Sequence, residues 1–246
     1  MRIAVVGLGA VGGLLAARLA RAGHDVAALA RGATLEQVRA HGLQLDSGGS
    51  SVSVPLTVSD DAAALGERDL VVVAVKAPAL TAAAPAIAPL LGAETIVLPA
   101  MNGVPWWFLP AAVPDEPPLE SVDPGGQLLA ALPLARVLGC VVHLTASSPA
   151  PGRVRHGVGE RLIVGEPAGG ESARVREVCA ALLGCVEQPA QGVSGHGFVI
   201  AVGQRVEIVL NRGLRRRLGQ RPARRLLIPA AGEDHRGDHA DDRCDG

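Results

Sequence analysis

Three glycines, Gly7, Gly9 and Gly12, carry the first chemistry in the chain, set in IAVVGLGAVGGLLAARLARAG at residues 3 to 23. Their spacing is GxGxxG. In that spacing the first glycine allows a tight turn, the second lets the main chain approach a pyrophosphate, and the third lets a helix pack closely on the preceding strand. Leu8, Ala10 and Val11 fill the positions between. The helix that begins near Ala10 turns its free N–H groups and the positive end of its dipole toward the phosphate. Gly7, Leu8, Gly9, Ala10, Val11 and Gly12 are therefore the expected cofactor-binding run. Arg2 followed by an Ala- and Leu-rich stretch also has the loose outline of an export signal. The β-branched IAVVG ending on glycine favours a buried parallel strand instead.

The second group is a charge. Where a dinucleotide site that takes NAD carries Asp or Glu after its second strand, this chain has Arg31, which suits a ribose 2′-phosphate and makes NADPH the expected cofactor. An Arg–phosphate contact adds roughly 1.5 to 3 kcal/mol, about 10- to 100-fold in affinity. Two further polar residues, Lys76 and Asn102, follow apolar runs that end where an open parallel sheet binds its ligand. Both are expected at the cofactor crevice; a solvated lysine and an Asn-Gly turn are the alternatives.

These groups need a scaffold, and the spacing of apolar residues supplies one. Strands are expected at residues 3–7, 24–30, 69–75 and 94–99, with a helix over Ala10 to Arg21 stopped by Gly23. Thr34-Leu35-Glu36-Gln37 reads as a capping box opening a helix to His41. Residues 43 to 58 alternate around Ser47-Gly48-Gly49-Ser50 as a hairpin or a pair of exposed strands. A short helix is expected at Asp60 to Leu65. Further strands are expected between Arg136 and Glu166, separated by Pro149, Pro151 and Gly157 to Gly159, and then a helix from Gly170 to Leu183 with Glu171 or Ser172 near its start. Trp106, Trp107 and Phe108 would cover the core or floor a pocket. The fold class is thus α/β, a Rossmann-type doubly wound and mostly parallel sheet.

Composition narrows the partners. The 246 residues carry a net charge of -1 and are 48% hydrophobic and 19% charged, which favours a small molecule over nucleic acid or an anionic membrane. Cys140, Cys179, Cys185 and Cys244 show no CxxC or metal-ligand spacing, so reduced thiols, no metal and a cytoplasmic setting are expected. Arg18, Arg21, Asp25 and Arg31 interrupt the most apolar region, leaving no membrane helix expected.

Taken together, IAVVGLGAVGG, LARG at 29–32, VVVAVKAPAL at 71–80, MNGVPWW at 101–107, ESVDPGG at 120–126, LGCVVHLTASSPAPGRVRHG at 138–157 and LIVGEP at 162–167 resemble the ketopantoate reductases. The resemblance covers about residues 1 to 194. It implies an NADPH-dependent reduction of a 2-oxo acid, ketopantoate to pantoate, in the pathway to pantothenate. It also implies that Gly7 to Gly12 hold the pyrophosphate, that Arg31 holds the 2′-phosphate, and that Lys76 and Asn102 lie beside the nicotinamide, with Asn102 also touching substrate. A homodimer is compatible with it.

One part of the family pattern is missing. The resemblance implies a proton-donating lysine on a later helical domain, and no lysine follows Lys76. Arginine holds its proton too tightly to replace it, so no catalytic residue is assigned. Residues 1–168 are expected to form the NADP-binding domain, and 169–246 the truncated remnant of a helical substrate domain. Its tail is Arg-rich, with a helix expected around Ala201 to Leu218 and disorder from Pro229. A reading-frame shift near codon 195, a divergent terminal segment and an Arg-rich nucleic-acid arm would each produce such a tail. Two alternatives to a ketopantoate reductase follow: an inactive NADPH-binding module, or an enzyme acting on another 2-oxo acid with His143 or His156 donating the proton.

Overall fold

A computed structural model describes residues 1–113, 116–170, 172–183 and, as backbone only, 200–202. They fall within one compact unit, Met1–Arg205. Its centre is a five-stranded, wholly parallel sheet in the order β5-β2-β1-β6-β7, formed by β1 (Arg2–Val6), β2 (Asp25–Leu29), β5 (Thr57–Ser59), β6 (Arg68–Val73) and β7 (Leu91–Pro99). The two-residue period of a strand divides its side chains between two cores. Ile3, Val5, Leu70 and Val72 face one, and Ala4, Val6, Val71 and Val73 face the other. Such double burial is why these strands read as unbroken apolar runs.

Helix α1 (Ala10–Arg21) and α2 (Gly32–His41) cover the first face through Leu14, Leu15, Leu19, Leu35 and Val38. Helix α3 (Ala77–Ile87) covers the second with Leu80, Ala84 and Ile87, joined there by Trp106 and Trp107, both buried. The sheet is therefore doubly wound, as its pattern predicts. The short helices α4 (Phe108–Ala112) and α5 (Gln127–Ala131) follow. Buried Asp123 accepts hydrogen bonds from the N–H groups of Leu128 (2.7 Å) and Leu129 (2.9 Å), satisfying orphan donors at the start of α5.

A second sheet lies against the outer side of α1. Its order is β4-β3-β10-β9, from β3 (Leu43–Ser47), β4 (Ser50–Val54), β9 (Ala146–Ala150) and β10 (Arg153–His156). Strands β3 and β4 form the expected hairpin, turning through Gly48 (φ 57°) and Gly49 (φ 80°). A third sheet, β12-β11-β8, joins β8 (Gly139–His143), β11 (Arg161–Gly165) and β12 (Ile200–Val202). Helix α6 (Ala173–Leu183) starts at Ser172, whose hydroxyl accepts from Val175 N–H at 3.2 Å, and sends Val175, Val178 and Leu182 into the first core.

The structure corrects five local readings. Helix α2 begins at Gly32, so Thr34 is its third residue and caps nothing. Residues 60–65 form turns held by Leu65 N–H on Ala62 C=O, not a helix; the run is too short to recover the cost of nucleation. Helix α3 has no counterpart among the expected elements, because Pro78 and Pro85 mask it; one sits in the first turn, where an N–H has no partner anyway. Pro149 lies inside β9 and not between strands, tolerated because β9 is an edge. The helix expected from Ala201 starts instead as strand: Ala201 and Val202 belong to β12, which pairs parallel with β11. The rest of that expectation, Glu171, Cys185, Cys244, the Arg-rich tail and the stretch from Pro229 lie outside the described residues.

Candidate functional site

At the carboxyl ends of β1, β2 and β6 the chain encloses a cavity of about 430 Å³. The turn Val6 to Gly9 provides part of its wall. Leu29, Ala30, Arg31 and Thr34 provide another part, and Val75 with the alanine face of α3 (Ala79, Ala82, Ala83, Ala86) a third. Ser148 of β9 reaches it from the second sheet.

The glycines differ in what forbids a side chain. Gly7 has φ +95°, a conformation L residues avoid, and a Cβ there would lie 2.9 Å from Val75 Cγ1. At Gly12 a Cβ would sit 2.0 Å from the carbonyl oxygen of Gly7 and 2.8 Å from Ala74 Cβ. At Gly13 it would meet Val154 Cγ1 at 2.6 Å, because α1 is pressed between two sheets. Gly9 is different. Its φ is -75°, and a Cβ would meet no protein atom within 4 Å. Packing does not require glycine at this position, yet it lines the cavity directly before α1, so its missing side chain leaves the main chain open to a ligand.

The cavity is mostly apolar, and Arg31 is the one charged residue among those that line it in the described structure. Arg31 is exposed, and its guanidinium makes no ion pair among the described residues. No carboxylate stands in the lining to repel an anion or to compete with one for Arg31. Thr34, released from its expected capping role, is half-buried beside Arg31 with a hydroxyl that has no hydrogen-bond partner among the described residues.

Four expected residues, Gly7, Leu8, Gly9 and Arg31, thus meet in one cavity. Ala10, Val11 and Gly12 open α1 behind it without lining it. Lys76 occupies the N-cap position of α3, exposed at the carboxyl end of β6 and outside the lining. Asn102 follows β7, also exposed and outside it. Its carboxamide is engaged: Nδ2 donates to Val142 C=O and Oδ1 accepts from Val142 N–H, both at 2.9 Å.

Neither histidine weighed as a proton donor lines the cavity. His143 is exposed at the end of β8. His156 is tied locally, its Nε2 2.8 Å from Gly159 C=O and its Nδ1 3.4 Å from Arg18. Arg18, 2% exposed, also grips Glu160 through two bonds of 2.6 and 3.0 Å, which pins α1 to the turn between β10 and β11. Burial pushes the Cys140 thiol up to about 12, so it is a packing group and not a nucleophile. Glu166 accepts bonds from Arg174 and Ser172, and the Arg174 guanidinium foremost holds its carboxyl below the ordinary value. Among the described residues, no three His, Cys, Asp or Glu side chains group to hold a metal ion, and no helix is long and apolar enough to cross a membrane.

The spacing of Ala79, Ala82, Ala83 and Ala86 is a helical stripe that two prolines hid. Ser148 carries no comparable signal, since only the crossing of α1 by the second sheet brings it near.

The chain is similar to known proteins over most of its described residues. Residues 3–169 match the family Ketopantoate reductase PanE/ApbA. A 2-dehydropantoate 2-reductase of Mesorhizobium japonicum is 44% identical over 181 residues, 71% of this chain and 55% of that protein. A Ralstonia solanacearum MolK2 protein assigned as a ketopantoate reductase superposes with a TM-score of 0.74 at 48% identity, covering 82% of this chain and 60% of its own. A D-mandelate dehydrogenase solved with NADH and anilino(oxo)acetate shares the fold, with a TM-score of 0.60 at 21% identity over 75% of this chain and 55% of its own. The chain spans about half the length of the curated relatives it matches.

Proposed function

The chain belongs to the ketopantoate reductase family, and on that premise we propose that its cavity holds NADPH for hydride transfer to a small 2-oxo acid, ketopantoate first among them. Gly9 carries the proposal: a glycine that packing leaves free, at the mouth of a helix, in a cavity wall. Gly7, Leu8, Gly9 and the opening turn of α1 from Ala10 to Gly12 would hold the pyrophosphate through main-chain N–H groups. Arg31, with Thr34 beside it, would take the 2′-phosphate. The apolar α3 face suits a flat, uncharged ring.

The strand order supports one direction for the cofactor. The sheet reverses its winding between β1 and β6, so a dinucleotide lying across that point has one half over β2 and the other over β6 and β7. With the 2′-phosphate at Arg31, the nicotinamide half lies toward Lys76 and Asn102. When bound, the cofactor supplies a hydride; the protein must orient the carbonyl and stabilise the oxygen that becomes negative. Lys76 is the one lysine of the sequence and stands exposed at the start of α3, on that side. In this reading residues 1–168 form the cofactor-binding domain, and residues 169–246 belong to a substrate domain.

One observation favours a second reading, a module that binds NADPH without turnover: among the described residues the cavity lining holds no lysine and no histidine to donate a proton. Purified protein mixed with NADPH and ketopantoate, followed at the absorbance of reduced nicotinamide, separates the two. Oxidation that depends on ketopantoate supports the reductase. Binding without oxidation supports the module, and absence of binding removes both.

A further inference from the structure

The three-stranded sheet continues the parallel one. Leu138 N–H donates to Val97 C=O at 2.9 Å, and Val97 and Val137 form a parallel bridge, so β8 runs beside β7 in the same direction. Strand β11 lies antiparallel to β8, with Arg161 opposite His143, Ile163 opposite Val141 and Gly165 opposite Gly139. Residues directly opposite share a face. Leu162 and Val164 turn into the first core, so Arg161, Ile163 and their partners turn the other way. Trp107 lies on that side: a Cβ on Gly139 would meet its ring at 3.2 Å.

This face opens along its length. Gly139, against Trp107, is buried, Val141 is half-buried and His143 is exposed. Its open end falls at the carboxyl end of β8, the edge of the joined sheet on which Lys76 follows β6. Arg161 stands there without a counter-ion. Its guanidinium makes no hydrogen bond or ion pair among the described residues, and its Nε is buried with no partner. Glu160, the adjacent carboxylate in sequence, is committed to Arg18 of α1, the helix that covers the first core. A half-buried cation with an unmet N–H favours any ligand that brings acceptors, and the planar guanidinium fork matches a carboxylate.

We propose that Arg161, with His143 opposite it, anchors the carboxylate of the 2-oxo acid. The identity of the ligand rests on the reductase reading. A 2-oxo acid carries its carboxylate on the carbon next to the reacting carbonyl, so the anion has to sit near the nicotinamide end, and β8 is one strand spacing, about 5 Å, from β7. Arg161 takes both carboxylate oxygens, and the His143 ring offers one further donor. The subsite selects 2-oxo acids over neutral ketones.

The test titrates ketopantoate and its neutral methyl ester into the whole chain by calorimetry, with and without NADPH. The proteins are the unmutated chain, Arg161→Gln, Arg161→Lys and His143→Ala. The unmutated chain should bind the acid at least about tenfold tighter than the ester. Arg161→Gln should weaken the acid about tenfold or more while the ester and NADPH stay within about twofold. Arg161→Lys keeps the charge but loses the fork, and His143→Ala loses one donor, so each should weaken the acid about threefold. Unchanged affinity for the acid in Arg161→Gln overturns the proposal. Equal weakening of acid and ester reduces Arg161 to a packing group and overturns it too, as does failure of the unmutated chain to bind ketopantoate. Failure of NADPH to bind removes the reductase reading instead; ketopantoate binding that depends on Arg161 without cofactor would then still support the anion subsite.

Discussion

At the β1–β2 end of the crevice, Gly7, Leu8, Gly9, Arg31 and Thr34 come together within the first 34 residues and enclose a cavity with the face of α3. At the β6–β7 end, Lys76 and Asn102 stand exposed at strand ends, outside the lining of that cavity. The first end is built to hold a ligand from local geometry: a turn, a helix start and one cation. The second offers polar groups that need another surface before they can hold a substrate. Anchoring a cofactor and aligning a reaction are separate structural problems, and the proposed reading assigns the first to this cavity.

The comparison breaks most sharply at the glycines. Gly12→Ala would force a Cβ against the Gly7 carbonyl at 2.0 Å; overpacking of that severity should cost about 3 kcal/mol or more and lower Tm by roughly 6 to 12 °C. Gly9→Ala should leave Tm within about 2 °C, because it meets no atom, yet weaken NADPH at least about tenfold by blocking approach to the main chain. Thermal melts and titrations on both variants check this, and equal Tm losses would erase the distinction.

Next in size is the cation. Arg31→Asp should weaken NADPH by about 10- to 100-fold and leave NADH equal or better. Thr34→Val, nearly isosteric, should weaken NADPH about threefold to tenfold and NADH less than about twofold. Lys76→Ala probes the other end: its effect on NADPH affinity should be smaller than that of Arg31→Asp, because Lys76 stands outside the cavity.

The smallest effect lies away from the crevice, in the pair that docks α6. Arg174 bonds Glu166 and the carbonyls of Ala135 and Val137. Because the folded Glu166 carboxyl sits below its unfolded value, its stabilisation is full above the unfolded value, about pH 4.5, and fades as pH falls through the lower folded one. Glu166→Gln should therefore lower Tm by about 1 to 3 °C at pH 7, with the difference from the unmutated chain closing toward pH 3. A gap of the same size at both pH values would contradict this.

The legible parts of the molecule were those set by local periodicity. Doubly buried strands read as apolar runs, and the glycine turn, α1 and the hairpin at Gly48-Gly49 stand where spacing puts them. Thr34 was misplaced because a cap depends on where the chain actually enters the helix, and Arg31, extended at φ -136°, is the true N-cap. Two prolines concealed α3 because their cost depends on which N–H groups they remove. Ser148 in the cavity, and the Asn102 bonds to a residue 40 positions away, arise from the stacking of three sheets, which no local pattern encodes.

The proposed cavity, lined by residues 6–86 and Ser148, is selective for NADPH, and parallel fluorescence titrations of the chain with NADPH and NADH test this most directly. Binding of NADPH at least about tenfold tighter than NADH, lost in Gly9→Ala at unchanged Tm, is the predicted result. Equal affinity for the two would contradict the role of Arg31, and no binding of either by a folded chain would contradict the site itself.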